Sequence, residues 1–356
     1  MKKILITILC SFSLLVICMC VIFLLYTNGI KKVSNDSKEI EFVVKKGNNF
    51  YNIASSLKSQ NLIKSEFWYK IYVKFNNTNK IKEGTYKLSK NMSVKEIVKT
   101  LSDSKLGING IKITFKEGNN MYDVIDGIIE NTNNTKEDID TLLSDTNYID
   151  SLIEKYWFIN DEVKNENIYY TLEGYLYPDT YQIKKDASVS DIFTIMLDEM
   201  DKKLTPYRDK IEKSEYSIHE ILTLASIVEL EGTTKEDRKL IAGVFENRLK
   251  ANMNLGSDVT TYYGAKVRLS ERDLYASELQ DENSYNTRSS KMIGKLPVGP
   301  ICNPSIESID SVLEPEESDY YYFVADKNHK TYFTKTANEH TAKIQELKEE
   351  SLWYEY

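Results

Sequence analysis

The amino-terminal part of the chain carries an uncharged run over residues 4–30 that is strongly apolar as far as Tyr26. A helix needs roughly 20 apolar residues to cross the hydrocarbon core of a bilayer, and this run is long enough. A cleaved signal peptide usually has a shorter apolar region that ends in small residues, and no Ala-x-Ala site occurs here. We therefore predict a retained transmembrane anchor over residues 1–30, with Lys2 and Lys3 favouring a cytoplasmic amino terminus and the remainder of the chain on the other side.

Composition limits what the rest of the chain can do. The 356 residues leave room for two or three domains. The formal net charge of −8 argues against nucleic acid as a partner, because phosphate binding needs a basic surface. Cys302 is the single cysteine outside the apolar run, and the 3 histidines have no ligand-like spacing, so we expect no disulfide framework, metal site or other cofactor. The histidines are His219, His329 and His340.

One helix is predicted with a defined start and end, over residues 217–232. Ser217 and Glu220 form a capping box, in which the hydroxyl accepts from an unpaired backbone N–H and the glutamate reaches back. Gly232 can leave the helix in a left-handed conformation. We predict that the catalytic part of the chain is organised around this helix.

Glu229 lies on the face of this helix that we expect to be buried. The apolar residues of that face recur at spacings of four and three, namely Ile218, Leu222 and Ala225. A further step of four residues leads to Glu229. Burial disfavours a charged carboxylate, and a glutamic acid that stays protonated can protonate a glycosidic oxygen. The structural alternative is a glutamate that reaches water or pairs with Arg238 or Arg248. Glu231 is expected to project away from this face and is the weaker candidate.

Several motifs follow each other in order along the second half of the chain, at residues 224–229, 244–249, 257–258, 285–287, 296–301, 303–304 and 322–326. Together they resemble the YceG-like endolytic murein transglycosylases. The resemblance implies an enzyme that cleaves peptidoglycan between N-acetylmuramic acid and N-acetylglucosamine, leaves 1,6-anhydro ends and so limits the length of nascent glycan strands. It also implies a single catalytic glutamate, carried over onto Glu229, and no metal or cofactor.

Residues 38–106 are predicted to form strand, helix, helix and strand, followed by a helix capped at Ser93. This order resembles the LysM-like carbohydrate-binding unit that the family carries beside its anchor. Residues 111–122 echo 40–51, and 180–189 echo 85–94, which indicates a second LysM-like half at 107–204 with an insertion near 132–167. The first copy, residues 38–106, could be a scaffold or could bind glycan, and both functions stay open. For the second copy a scaffolding function is favoured. The predicted class is α+β, with a transmembrane helix, the LysM-like unit and a mixed α/β catalytic domain over 107–350.

The glycine- and proline-rich region 255–304 is where we expect substrate contacts, because binding residues concentrate on loops held by a rigid scaffold. Its polar side chains offer hydrogen bonds suited to N-acetyl sugars, although some could simply form turns. The candidate substrate-binding residues are Asp258, Tyr262, Tyr285, Asn286, Thr287 and Asn303.

Two further segments carry predictions. Residues 172–181 have alternating aromatic side chains, which indicate a strand beside a bend at Gly174 and Pro178. Glu173 within it could line the cleft or be a buried partner of a backbone amide or an arginine. A hairpin is predicted at 320–333 and a terminal helix at 338–347, whose His340 could belong to a family feature or pair locally.

Two other functions stay open at this point. A muramidase-type hydrolase would need a second carboxylate near the acid, and Asp258 or Glu173 could supply it. A non-catalytic scaffold of the wall-synthesis machinery would bind glycan without cutting it. The resemblance also implies a single-pass protein of the bacterial cell membrane with an extracytoplasmic catalytic domain, and it makes penicillin-binding proteins and division or elongation proteins possible partners.

Overall fold

The computed structural model describes residues 2–45, 47–76, 81, 83–102, 110–269 and 271–353. The described chain is a mixed α+β protein with more helix than strand, which confirms the predicted class. It divides into two compact units. The first contains Met1–Ile111 and Gln182–Lys184, and the second contains Lys112–Tyr181 and Lys185–Tyr356.

The first unit starts with a long apolar helix, α1 (Lys2–Gly29). Within it, Phe12–Gly29 is long and apolar enough to cross a membrane, and little of this stretch is buried. The elements that follow are β1 (Glu39–Val44), α2 (Ala54–Ser59), α3 (Glu66–Phe75), β2 (Gly84–Ser89) and α4 (Val94–Ser102). This order confirms the predicted strand, helix, helix and strand with one further helix. The likeness of this unit to LysM stays a prediction.

A two-stranded sheet organises the core of the first unit. Strands β1 and β2 are antiparallel, with Glu39 opposite Ser89 and Val44 opposite Gly84. Because side chains alternate along a strand, one face of the sheet is apolar and is covered by the helices. The fully buried side chains of this core include Phe42, Tyr86, Leu57, Tyr69 and Ile97.

The second unit is built mainly from short helices. Its elements are β3 (Ile111–Thr114, of which Ile111 falls in the first unit), α5 (Met121–Asn131), α6 (Lys136–Ser144), α7 (Thr146–Lys155), β4 (Thr180–Ile183, of which Gln182 and Ile183 fall in the first unit), α8 (Val189–Leu204), α9 (Arg208–Lys213), α10 (Ile218–Glu231), α11 (Lys235–Lys250), α12 (Asp258–Gly264), α13 (Ala276–Leu279), α14 (Ile306–Leu313), β5 (Tyr322–Ala325), β6 (Thr331–Thr334) and α15 (Ala337–Glu349). Strands β3 and β4 pair with each other, and β5 and β6 form the predicted hairpin. Helix α15 confirms the predicted terminal helix.

The strand predicted over residues 172–181 is wrong for most of that segment. The chain turns there, with hydrogen bonds from the Glu173 N–H to the Tyr170 carbonyl and from the Tyr175 N–H to the Leu172 carbonyl, and the strand begins at Thr180. Gly174 has a φ of +83°, which favours glycine. The aromatic side chains alternate here because they are buried around a turn, not across a sheet.

Helix α10 lies at the centre of the second unit and packs against α11, α12 and α14. The predicted capping box is confirmed, because Ser217 accepts from the Glu220 N–H while the Glu220 carboxylate accepts from the Ser217 N–H. The helix ends before Gly232, as predicted, but Gly232 has an extended backbone with φ −98°. Glycine is needed there for a different reason, since an added Cβ would lie 2.5 Å from the Cγ of Arg238.

Candidate active site

A cleft of the second unit lies at the carboxyl-terminal end of α10 and has a volume of about 890 Å³. Its walls come from the end of α10, from α11, from the loop before α12, from strand β5 and from α15. The side chains with acid–base or hydrogen-bonding capacity that line it include Glu231, Arg248, Asp258, Arg288, Tyr322 and His340.

Glu231, the last residue of α10, places a carboxyl group in this cleft. Its Oε1 accepts a hydrogen bond of 2.6 Å from the hydroxyl of Ser257. Burial raises the pKa of Glu231, and the charge of Asp258 adds to this effect. The Ser257 hydrogen bond lowers the pKa in turn, as do Arg288 and Arg248. An acid with a raised pKa in a cleft is typical of a proton donor in catalysis.

Ser257 is itself fixed by a buried network of threonines. The Ser257 N–H donates to the hydroxyl of Thr287 at 2.9 Å, and the hydroxyl of Thr260 donates to the Ser257 carbonyl at 2.8 Å. The two threonine hydroxyls are 2.7 Å apart. Since Ser257, Thr260 and Thr287 are all buried, they hold the hydroxyl that contacts Glu231 in one position.

Arg248 has mainly a bracing function in the cleft wall. Its Nε donates to the Tyr321 carbonyl at 2.6 Å, its Nη1 donates to the Leu255 carbonyl, and its guanidinium lies 5.2 Å from the Tyr322 ring centre. It therefore joins α11 to the hairpin and to the loop before α12.

His340 of α15 forms another part of the wall. Its ring stacks on Tyr322 with ring centres 5.4 Å apart, and its buried Nδ1 has no hydrogen-bond partner among the described residues. Burial lowers the pKa of His340, and the nearby Arg248 lowers it further, so the neutral imidazole is favoured. A neutral imidazole can donate or accept a hydrogen bond to a sugar hydroxyl.

The cleft continues into a second cavity of about 790 Å³. Asp258 and Arg288 line both cavities and form an exposed ion pair of 2.5 Å where the two meet. Tyr262 and Leu269 line the second cavity and a smaller one of about 230 Å³. These shared lining residues define one groove through the three cavities, and Glu231 lines the first of them.

Glu229 lies outside the residues that line this groove. It is buried, as the helix periodicity predicted, and its Oε1 accepts a hydrogen bond of 3.0 Å from the Nη2 of Arg238. Its Oε2 accepts from the Ser305 N–H at 2.8 Å, from the Ser308 hydroxyl at 2.7 Å and from the Ser305 hydroxyl. The ion pair with Arg238 is the structural alternative described above. The catalytic assignment of Glu229 stays a prediction. Both oxygens of its carboxylate already accept hydrogen bonds from groups within the protein.

The candidate substrate-binding residues fall into two groups. Asp258 and Tyr262 line the groove. The other four are buried and bonded within the protein: the Tyr285 hydroxyl accepts from the Tyr169 N–H, Thr287 supports Ser257, Asn286 bonds Thr261 and the Asp281 carbonyl, and Asn303 accepts from the Leu176 N–H. The structure does not bring these four side chains to the groove.

Sequence reasoning did not assign Ser257, Arg288 or Tyr322 to the site, and it ranked Glu231 below Glu229. The motif at 257–258 contained Ser257, and the aromatic strand of the hairpin contained Tyr322, so both had a local signal. Arg288 had none. Among the described residues, no group of three or more His, Cys, Asp or Glu side chains could hold a metal ion.

Comparison with known proteins identifies the chain. The model of the YceG-like family matches residues 42–346. A Bacillus subtilis (strain 168) protein named endolytic murein transglycosylase is 35% identical over 321 residues, which cover 89% of this chain and 88% of that protein. A Streptococcus pneumoniae serotype 2 protein of the same name is 32% identical over 330 residues, and there the match covers 88% of this chain but 59% of the relative.

A solved structure agrees with this result. A yceG-like protein from Listeria monocytogenes, whose crystal structure was solved at 2.6 Å, is 34% identical in sequence and superimposes with a TM-score of 0.61. The match covers 86% of this chain and 99% of that one. The chain therefore belongs to the YceG-like family.

Proposed function

We propose that this chain is an endolytic murein transglycosylase, as its relatives from Bacillus subtilis and Streptococcus pneumoniae are named. The substrate is the glycan strand of peptidoglycan. The observation that supports this function most directly is the carboxyl group of Glu231, which lines the groove and has a raised pKa.

In this proposal Glu231 acts first as an acid and then as a base. It donates its proton to the oxygen that joins C1 of N-acetylmuramic acid to N-acetylglucosamine, and the bond between C1 and that oxygen breaks. The resulting carboxylate accepts the proton of the muramic acid C6 hydroxyl as the C6 oxygen bonds to C1. One carbon–oxygen bond breaks, one forms and no water is consumed, so a single carboxyl group is sufficient.

The groove suits cleavage inside a strand. It continues past Glu231 through the Asp258–Arg288 ion pair to Tyr262 and beyond, so sugars can lie along it beyond the cleaved bond. Tyr262 offers a flat apolar face with a hydroxyl, which suits a sugar ring. His340 and Arg288 add hydrogen-bonding groups.

We assign the acid to Glu231 in preference to Glu229. Glu229 is surrounded by Arg238, Ser305 and Ser308, and a substrate could reach it only if these contacts broke. Glu229 then joins α10, α11 and the start of α14.

The product identifies the reaction. Purified full-length protein in detergent is incubated with glycan strands, and the fragments are weighed by mass spectrometry. We expect 1,6-anhydro ends, which are lighter than reducing ends by one water molecule, and we expect Glu231→Gln to release fragments more slowly by about 100-fold or more. Reducing ends would contradict a transglycosylase, and full cleavage by Glu231→Gln would contradict the assigned acid.

Reducing ends would favour a muramidase-type hydrolase instead. The position of Asp258 supports this second function, because its carboxylate lines the same groove and its charge raises the pKa of Glu231. Glu173 is a poor second carboxylate, since it is 1% exposed and bonded within the protein. The scaffold function predicts no cleavage product at all.

We also propose that α1 spans the bacterial cell membrane, with the amino terminus in the cytoplasm and the catalytic unit outside. Phe12–Gly29 supports this by its length and apolar composition. The LysM-like unit at 38–106, its glycan binding, and contacts with penicillin-binding, division or elongation proteins remain proposals. The topology is tested in intact cells with a glycosylation or alkylation tag placed at either end of α1. A shift of the protein band on a gel shows which end has been modified.

A further inference from the structure

Helix α3 of the first unit carries an apolar stripe that is exposed at its two ends and half-buried at Ile71 between them. Phe67, Ile71 and Phe75 recur every four residues, so their side chains lie along one side of the helix. Phe67 is 61% exposed and Phe75 is 76% exposed. The opposite side of α3 packs into the core through Tyr69 and Val73. Exposed phenylalanines in such a row are unusual for a helix that faces water.

The side of α3 next to this stripe contacts the last turns of α1. The ring of Trp68 meets Tyr26 edge-on with ring centres 5.8 Å apart, and the ring of Phe67 lies 4.7 Å from that of Trp68. An added Cβ at Gly29 would lie 2.2 Å from the Cδ1 of Trp68, so this close approach needs glycine. The stripe therefore lies beside the outer end of the apolar helix.

The junction between α1 and the rest of the first unit is tied by hydrogen bonds. The Val94 N–H donates to the Ile30 carbonyl at 3.0 Å, directly after α1 ends. The N–H groups of Val33 and Ser34 both donate to the Lys90 carbonyl, at 3.0 and 3.1 Å. Because these bonds leave little free chain after α1, the position of α1 in a bilayer also sets the depth of α3.

We propose that α3 lies in the interface of a phospholipid bilayer, with Phe67, Ile71 and Phe75 at the boundary between headgroups and acyl chains. This proposal rests on the proposed membrane-spanning role of α1. Aromatic side chains prefer this boundary, and a helix with one apolar side binds there in the plane of the membrane.

The charges around the stripe fit the same partner. Lys70 and Lys74 lie on the side of α3 that borders Phe67, and their long side chains can reach phosphate groups. Lys31 and Lys32 are exposed immediately after α1, at the level where the helix would leave the bilayer. Such lysines favour anionic headgroups. The first unit is then held against the membrane by two helices, not by the anchor alone.

Collision measurements on a nitroxide label test this placement in the full chain. The protein is placed in nanodiscs of phosphatidylglycerol and phosphatidylethanolamine, and the label is attached at Phe67→Cys or Phe75→Cys. The matched control is Glu66→Cys, on the same helix but turned away from the stripe. Leu24→Cys, which is 65% exposed on α1, reports on the anchor itself. The background substitutes alanine for Cys10, Cys18 and Cys20, whereas Cys302 is buried and is kept.

Oxygen concentrates in lipid and a nickel chelate in water, so their relative collision rates give the depth of each label. We expect oxygen to prevail at positions 67, 75 and 24 and nickel to prevail at position 66. Nickel prevailing at 67 and 75 while oxygen prevails at 24 would overturn the proposal and leave the anchor intact. Nickel prevailing at 24 would overturn the anchor and the proposal together, without affecting the assigned reaction.

Discussion

Glu173 provides a quantitative prediction about stability and pH. Its side chain is 1% exposed, and its Oε2 accepts hydrogen bonds of 2.9 Å from the Met121 N–H and from the Tyr263 hydroxyl. Its buried Oε1 has no partner among the described residues. Burial raises the pKa of Glu173 from 4.5 to about 8. The sequence alternative of a buried partner for a backbone amide is therefore confirmed.

The direction of the pH effect follows from this pKa. The folded protein holds the neutral acid, and unfolding returns the group to its ordinary pKa of 4.5. The stability that depends on the neutral acid is complete below pH 4.5 and is lost as the pH rises through 8. At about 1.36 kcal/mol per pH unit, the interval from 4.5 to about 8 corresponds to a loss of about 5 kcal/mol in the free energy of unfolding.

Glu173→Gln removes this dependence without removing the contacts. The amide has the same shape, its oxygen can accept from Met121 and Tyr263, and it has no proton to lose. We expect the variant to match the parent within about 1 kcal/mol at pH 5 and to be more stable by about 3–5 kcal/mol at pH 8. Urea unfolding of the detergent-solubilised chain at both pH values measures this difference.

Glu173→Ala serves as the control. It leaves the Met121 N–H and the Tyr263 hydroxyl without an acceptor, so it should lower the free energy of unfolding by about 2 kcal/mol or more at pH 5. Identical pH dependence in the parent and in Glu173→Gln would refute the reasoning, because the buried acid would then not be the group that titrates.

Substitutions at three other positions have defined outcomes. Arg238→Met leaves the buried carboxylate of Glu229 without its cation and should lower the free energy of unfolding by about 3 kcal/mol in urea unfolding; an unchanged midpoint would contradict the ion pair. Ser257→Ala removes a hydrogen bond that lowers the pKa of Glu231, so the basic limb of the pH–kcat profile should move to higher pH, whereas Ser257→Thr should keep it in place. Gly174→Ala places a Cβ 2.4 Å from that of Pro300 at a φ of +83°, and should lower the free energy of unfolding by more than about 1 kcal/mol, checked by the urea midpoint.

Local patterns in the sequence predicted local structure well. The capping box predicted the start of α10, the aromatic run at 320–324 and the turn after it predicted β5 and β6, and the run after Lys3 predicted α1. These signals depend on residues close together in the chain. Asp258 and Tyr262 were predicted from the loop-rich composition of residues 255–304, and both line the groove.

The choice between Glu229 and Glu231 could not be made in this way. Helix periodicity shows which face of α10 is buried, but it does not show where the groove opens. The groove is formed by β5, by α15 and by the loop before α12, all of which follow α10 in the chain by many residues. The type of a polar residue did not show whether it binds substrate. Asn286 and Asn303 form hydrogen bonds to buried backbone groups with the same side-chain atoms that could bind a sugar.

The rates of the two glutamine variants test the central claim most directly. Glu231→Gln and Glu229→Gln are each compared with the parent on purified glycan strands, at equal concentrations of folded protein verified by circular dichroism. We predict that Glu231→Gln lowers kcat by about 100-fold or more, as expected for a lost acid–base group, and that folded Glu229→Gln retains most of its activity. Loss of activity in Glu229→Gln together with normal turnover by Glu231→Gln would contradict the account and return the catalytic role to Glu229.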